Sequence, residues 1–387
     1  MEDTDVVIVE AVRTAVGRRG GSLSGVHPVP LLAQVLQEVT RRAGVEPDVV
    51  EDVVAGCVDQ VGDQSANIAR NALLTAGYPY TIPATTVDRQ CGSGQQAIHF
   101  AANLIQANVC DVTIGCGVEN MTRVPLGAGL TNGPGFPFPP ELISQYSLTA
   151  QGISAEEIAK KWGITREQVD RFGFESHMKA ARARDEGRFK NEIMPVEVEL
   201  EGVKTTFEQD EGIRPDTSME KLSKLQPAFR EDGIHTAGNS SQIADGAAAV
   251  LLMSGAKAKK LGVKARARIV AQAVVGSDPV LMLTGPITAT PKVLDKAGLK
   301  LDDIDLFEIN EAFACVVLAW EKELGPDMRK VNVNGGAIAL GHPLGCTGSK
   351  LMTTLLNELE RTGGRYGLET MCCGGGLGTA TIIERLD

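Results

Sequence analysis

Cys91 sits where a short apolar run, Ala84–Val87, hands over to a helical stretch reaching about Ile105, and Gly92 and Gly94 follow it closely. Free backbone N–H groups at such a helix start favour a thiolate, lowering the thiol pKa and making it nucleophilic. The same groups can receive an oxyanion beside the nucleophile. The competing reading is a buried small hydrophobe, the usual fate of a free cysteine. A second constellation is Cys372-Cys373-Gly374-Gly375-Gly376. Glycines after a strand let a ligand or another backbone approach closely, and a perturbed thiol there can exchange protons near neutral pH. Adjacent cysteines would form a strained disulfide, which disfavours a redox pair.

His342 lies within Asn334-Gly-Gly-Ala-Ile-Ala-Leu-Gly-His-Pro-Leu-Gly345, too rich in glycine to be selected for helix or strand stability. Such a backbone can fold tightly around a site; a turn-forming histidine is the alternative. Of its rivals, His99 falls inside the helix after Cys91 and suits packing, while His27, His177 and His235 lack convergent glycines. Asn310 closes the apolar run Leu306–Ile309 and is followed by Glu311-Ala312-Phe313. Strand ends collect functional groups in α/β folds. Asparagine there equally suits the N-cap of a following helix, Ala312 to Leu324.

Other chemistries find little support. No Cys-x-x-Cys pair occurs among the eight cysteines, so no metal site is expected. Gly348-Ser349-Lys350 reverses the order a phosphate-binding P-loop requires, and no Gly-x-Gly-x-x-Gly follows a first strand. Aromatics make up 4% of the chain and the net charge is -11, which argues against nucleic-acid binding. The cations Arg214, Lys221, Lys224 and Arg230 form either a phosphate-facing patch or, with Asp216, Glu220, Glu231 and Asp232, a solvated surface. Neither a secretory leader nor an apolar run of membrane-spanning length is evident, so a reducing cytoplasm is expected.

The elements that must position these groups repeat. Val6–Thr14 and Ala267–Gly276 read as buried strands. The helix Leu31–Ala43 ends at Gly44, and Pro291–Ala297 ends at Gly298; from there Asp48 parallels Asp302, Glu51 parallels Asp305, and Asp52–Gly56 parallels Leu306–Asn310. The helix after Cys91 and one from about Thr347 to Leu359 correspond, as do the strands Val112–Gly117 and Leu368–Gly376 that follow them. Two α/β halves with covered sheets result: residues 1–120, completed by 244–265, and residues 266–387. Residues 121–243 form an insertion, either a substrate-binding lid or an oligomerisation arm. Within it, Ser154 with Glu157, and Thr165 with Gln168, carry helix-capping patterns.

Taken in order, Val87-Asp-Arg-Gln-Cys91-Gly-Ser-Gly, Gly238-Asn-Ser-Ser-Gln-Ile-Ala-Asp-Gly246, Asn310-Glu-Ala-Phe, Gly341-His-Pro and Cys372-Cys-Gly-Gly-Gly resemble the thiolase family over essentially the whole chain. That resemblance implies an α/β fold of five layers, αβαβα, built from two duplicated halves with an inserted loop domain. It implies Cys91 as the acylated nucleophile, activated by His342, and Cys372 as the acid/base. His342 and an Asn310-held water would receive the keto oxygen, and the N–H groups of Cys91 and Gly374 the thioester oxyanion. Ser241 and Arg214 align with positions that contact coenzyme A; Cys373 has no implied role. No permanently bound cofactor is implied, coenzyme A being a co-substrate, and the expected assembly is a homodimer or homotetramer.

The reaction implied is CoA-dependent cleavage of a 3-ketoacyl-CoA, with acetoacetyl-CoA-forming acetyl transfer as the alternative. Acetoacetyl-CoA-forming members often carry His-Met-Gly where this chain has Ala150-Gln151-Gly152, whereas Asn239-Ser-Ser-Gln242 is more like the degradative type. Met282-Leu-Thr-Gly-Pro-Ile and the Glu384-Arg-Leu ending are similar to actinobacterial thiolases of sterol breakdown.

Overall fold

The computed structural model describes all 387 residues. In the first half, strands β1 (Val6–Thr14), β2 (Asp52–Gly56), β3 (Ala84–Val87) and β4 (Val112–Asn120) alternate with helices α1 (Pro28–Ala43), α2 (Ile68–Thr75) and α3 (Ser93–Gln106). The chain then leaves the sheet for a segment containing α4 (Gln151–Lys161) and α5 (Arg166–Asp185), and returns as β5 (Ala244–Ser254). The second half runs β6 (Ala267–Gly276), α6 (Gly285–Ala297), β7 (Leu306–Ile309), α7 (Ala314–Leu324), α8 (Thr347–Thr362), β8 (Tyr366–Cys373) and β9 (Leu377–Arg385).

The strand order is β3-β2-β4-β5-β1 in one half and β7-β8-β9-β6 in the other. Pairing senses agree throughout: β2 with β4 and β7 with β8 are parallel, and the remaining pairs β4–β5, β5–β1, β8–β9 and β9–β6 are antiparallel. Only β3 lacks a full counterpart, reduced to a single bridge between Phe307 and Val331. The matched acids do matched work. Glu51 accepts from the N–H of Val112 at 2.9 Å, and Asp305 from that of Tyr366 at 2.9 Å, so each holds the first residue of a central strand. The halves touch edge to edge only at Val7–Arg268 and Ile8–Ala267.

Side-chain alternation builds the layers. From β1, Val7 and Val9 pack against Leu32, Leu36 and Ile68 of α1 and α2, while Val6 and Ile8 join Ile98, Ala102, Met352 and Leu355 of α3 and α8. The same α3–α8 layer covers Ile269 and Ile383 of the second sheet, whose far face packs on Val293 and Trp320 of α6 and α7. Helix, sheet, helix, sheet, helix is the order. Because the middle layer is shared, the start of α3, carrying Cys91, meets the start of α8, following His342.

Three local expectations change. α6 begins at Gly285, and Pro291 lies inside it. An interior proline leaves a carbonyl unpaired, yet Ala289, Thr290 and Val293 around it are buried, and that packing holds the turn. Ser154 does not cap α4; Ala150 does, and the Ser154 hydroxyl donates to Val280 O at 2.6 Å. α7 starts at Ala314 with Phe313 as its cap, which frees the Asn310 side chain from capping. The Thr165–Gln168 capping box is present on α5.

Candidate active site

The turn into α3 is strained and braced. Gln90 adopts a φ of 49°, a region that side chains with a Cβ seldom occupy. Arg89 N–H donates to Ser93 Oγ at 2.8 Å, and the Ser93 hydroxyl donates to Gln90 O at 2.6 Å. This turn aims Cys91 inward, leaving it 2% exposed. The N–H groups of Gly374 and of Cys91 itself lie beside its sulfur and favour the thiolate. Burial nonetheless pushes the thiol up to about 11, and the Glu119 and Asp88 carboxyls add to the rise. The expectation of a lowered pKa is therefore overturned: backbone donors pull down, but removal from water outweighs them.

β8 presents its two cysteines to opposite faces. Cys372 packs toward Cys315 and Phe313, and Cys373 toward Cys91 and Leu344. Burial raises both thiols well above the ordinary range, and each adjoins Cys91. The Asn310 side chain lies toward Cys372 and the Gly92 N–H toward Cys373, each favouring the charged thiolate. All eight cysteines are free thiols.

Asn310 links this thiol group to the histidine. Its Nδ2 lies 3.4 Å from His342 Nε2, and its buried Oδ1 has no protein partner. His342 Nδ1 is 2.6 Å from Thr347 Oγ1, which itself donates to Pro343 O at 2.8 Å. A hydroxyl has one hydrogen. Thr347 therefore accepts from Nδ1–H, leaving the lone pair on Nε2, toward Asn310. Burial, assisted by the Lys350 ammonium, pulls the imidazole pKa down to about 3, so the ring is neutral. By contrast, His99 is sequestered against Thr381 Oγ1 at 2.7 Å.

Glycine sets how closely the two halves approach. The carbonyl of Gly345 nests against three α-carbons of the first half: a Cβ would stand 2.0 Å from it at Gly117, 2.7 Å at Gly56 and 2.8 Å at Gly94. At Gly348 a Cβ would come within 2.1 Å of Gln95 N. Glycine thus serves inter-half contact as well as the loops at 335–348 and 374–376. At Gly374 a Cβ would meet Gln151 Nε2 at 2.9 Å, placing the first residue of α4 against the Cys91 pocket. Phe229 packs on Gly152 next to it.

The remaining expected groups divide. Ser241 lies on a strand-like run bound to both the Asn310 and the His342 loops: its N–H donates to Ala312 O at 3.0 Å, and His342 N–H donates to Gln242 O at 3.0 Å. Arg214 is separate from the cysteine group, exposed and without a salt bridge, its N–H donating to His177 Nδ1. Lys221, Lys224 and Arg230 pair with Asp216, Glu220 and Glu157, which makes those three a solvated surface. Thr347 and Glu119 escaped sequence reasoning. A glutamate inside the apolar run Val112–Asn120 was the available signal for one, and a hydroxyl five residues after His342 for the other.

Residues 6–256 match the description "Thiolase, N-terminal domain" and residues 263–385 "Thiolase, C-terminal domain". The chain belongs to the thiolase family. This thiolase is 51% identical to the steroid 3-ketoacyl-CoA thiolase FadA6 of Mycobacterium tuberculosis, covering 99% of this chain and 95% of that protein. It is 46% identical to the 3-ketoacyl-CoA thiolase of Bacillus subtilis, over 98% and 99% of the two chains. Human mitochondrial 3-ketoacyl-CoA thiolase superposes with a TM-score of 0.91 at 39% identity, and the Bacillus anthracis acetyl-CoA acetyltransferase with 0.90 at 42%, each covering 99% of both chains. Like its family, it is an acyltransferase of five-layered αβαβα fold. No helix is long and apolar enough to cross a membrane.

Proposed function

We propose that this thiolase cleaves a 3-ketoacyl-CoA with coenzyme A, giving acetyl-CoA and an acyl-CoA two carbons shorter. The observation that carries the reading is two distinct thiols, Cys91 and Cys372, on one buried site with a neutral imidazole. One nucleophile suffices for simple acyl transfer; breaking a carbon–carbon bond also calls for a proton donor to the departing carbanion.

Cys91 Sγ attacks the keto carbon, and its proton passes to His342 Nε2 as the bond forms. The N–H groups of Cys91 and Gly374 adjoin the sulfur itself, so they hold the oxygen of the carbon it attacks, the keto oxygen. His342 and a water on Asn310 hold the thioester oxygen of the leaving enolate. The resemblance in sequence implied the opposite assignment of the two oxygens; the place of these N–H groups beside the attacking sulfur is the reason for the exchange. The C2–C3 bond breaks, C2 takes the Cys372 proton, and acetyl-CoA leaves. Cys372 then takes the proton of incoming CoA, whose sulfur attacks the acyl-Cys91 thioester; Cys91 regains its proton from His342. Covalent acylation splits one hard step into two. Ser241 and Arg214 are assigned to coenzyme A, Arg214 by its unpaired exposed guanidinium.

Gln151 against Gly374, and the kinship with degradative relatives, support 3-ketoacyl-CoA cleavage over acetoacetyl-CoA formation. A steroidal acyl group and a homo-oligomeric, cytoplasmic enzyme complete the reading. A thiolysis panel over short, long and steroidal 3-ketoacyl-CoA esters tests it. Turnover of the bulky esters above acetoacetyl-CoA is expected; turnover of acetoacetyl-CoA alone would favour the acetyl transferase, and no turnover of any ester would refute the proposal.

A further inference from the structure

We propose that Glu119 is a positioning residue whose carboxylate fixes the His342 segment of the second half against the Cys91 half of the site. Glu119 is the penultimate residue of β4, is fully buried, and touches no reacting atom in the scheme above. One oxygen accepts from Asp59 N–H at 3.1 Å and Gln64 Nε2 at 2.6 Å, with the Cys57 thiol at 3.8 Å. The other accepts from Val58 N–H at 2.9 Å and, across the boundary between halves, from Gly345 N–H at 2.8 Å. Gly345 is three residues from His342, and its carbonyl is the group wedged among Gly56, Gly94 and Gly117. The carboxylate thus clamps the N–H of the same residue whose carbonyl the glycine seam seats. Moving Gly345 moves Pro343, which receives the Thr347 hydroxyl, and with it the imidazole.

The donors are all neutral, and they satisfy both oxygens of an ionised carboxylate. The titratable groups facing it are thiols and carboxyls: Cys57 and Asp59 from the turn after β2, Cys91 at the head of α3, Asp88 beyond it, and Cys346 from the segment before α8. Burial raises the Glu119 pKa to about 7 against these donors. Protonation puts a hydrogen where a donor already points, so one hydrogen bond to Val58, Asp59, Gln64 or Gly345 must yield. Activity supported by this clamp is present above pH about 7 and declines below it. The sign for stability is opposite. A carboxyl raised from its ordinary 4.5 to about 7 binds its proton more tightly when folded, so its contribution to stability grows as pH falls between those values. Acid loss of activity through Glu119 is therefore not acid unfolding.

The proposal rests on reading Cys91 and His342 as reacting partners, so two readouts keep it separable from the activity. The first is the pH profile of kcat/KM for thiolysis; the second is the chemical shift of the His342 imidazole against pH, in wild type, Glu119→Gln and Gln64→Leu. Because burial holds the ring neutral well below its ordinary range, a midpoint near 7 in its signal reports a neighbour. Wild type is expected to show that midpoint in both readouts, and Glu119→Gln to lose it with a plateau lowered about tenfold or more. Gln64→Leu removes one donor to the charged form and is expected to move the midpoint upward; it also carries the test where Glu119→Gln fails to fold. Persistence of the midpoint in Glu119→Gln, its absence from wild type, or an unmoved midpoint in Gln64→Leu would overturn the proposal. An imidazole signal that behaves as stated in a chain without thiolysis would sink the proposed function and leave the positioning role standing.

Discussion

Thr347 commits its single hydroxyl hydrogen to Pro343 O, and from that one geometric fact the usable nitrogen of His342 follows. Replacing the hydroxyl by an isosteric methyl lets the ring choose its other tautomer, which presents N–H where a base is needed. Thr347→Val is expected to lower kcat by about tenfold to a hundredfold with little change in KM, and Thr347→Ser to restore most of it. Steady-state kinetics on the three proteins decides between this and a purely structural loss, which Ser would not repair selectively in kcat. Cys372 has a separable signature. Its removal is expected to slow solvent-deuterium exchange into the acetyl methyl of acetyl-CoA by at least about a hundredfold, followed by mass spectrometry, while Cys91 stays acylable. Exchange at the wild-type rate in Cys372→Ala would remove Cys372 from the proton transfer.

At the scale of elements, α3 and α8 meet through atoms too close for any side chain between them. Gly117→Ala would drive a methyl against Gly345 O, where only 2.0 Å is available. Overpacking of that kind typically costs about 1–3 kcal/mol, and here it also displaces the peptide next to the histidine. A lowered urea midpoint together with a larger loss of kcat than of stability is expected; unaltered kinetics would show that the seam does not position the site. The seam also marks how far sequence reasoning reaches. Strand and helix periodicity revealed the duplicated halves; Cys91, His342 and Cys372 stood out by their glycine neighbours, and Asn310 by its place at a strand end. Contacts between halves leave no local pattern, so Gly56, Gly94 and Gly117 looked like ordinary strand and helix residues. Glu119 was hidden for the same reason, since its bond to Gly345 crosses the halves; Thr347 was hidden because the turn that brings its hydroxyl back to His342 arises only on folding. The thiol pKa was misjudged because helix-start donors can be read from sequence, whereas the burial that overrides them arises only from packing.

Across the whole molecule, one fully buried cation ties the insertion to the first sheet. Arg13 of β1 contacts Glu192 at 2.6 Å and Asp210 at 2.8 Å, all three removed from water. Arg13→Met would strip two buried carboxylates of their hydrogen-bonded partner and leave the Lys350 ammonium as their remaining buried counter-charge, expected to destabilise the fold by about 3–5 kcal/mol. Denaturant titration measures this, and a loss confined to the insertion, seen by hydrogen exchange, would show that the halves hold without it. The insertion matters to chemistry because α4 starts against Gly374, so its attachment and the shape of the thioester pocket are connected.

The central claim, a covalent acyl-enzyme on Cys91 in a carbon–carbon cleavage, is most directly tested by intact mass after mixing the enzyme with a 3-ketoacyl-CoA in the absence of free CoA. Wild type should gain the mass of the shortened acyl group, mapped to Cys91, with one acetyl-CoA released per site, and Cys91→Ser should gain nothing. Acetyl-CoA released from a chain whose mass is unchanged, or an acyl group mapped to any other residue, would contradict the account.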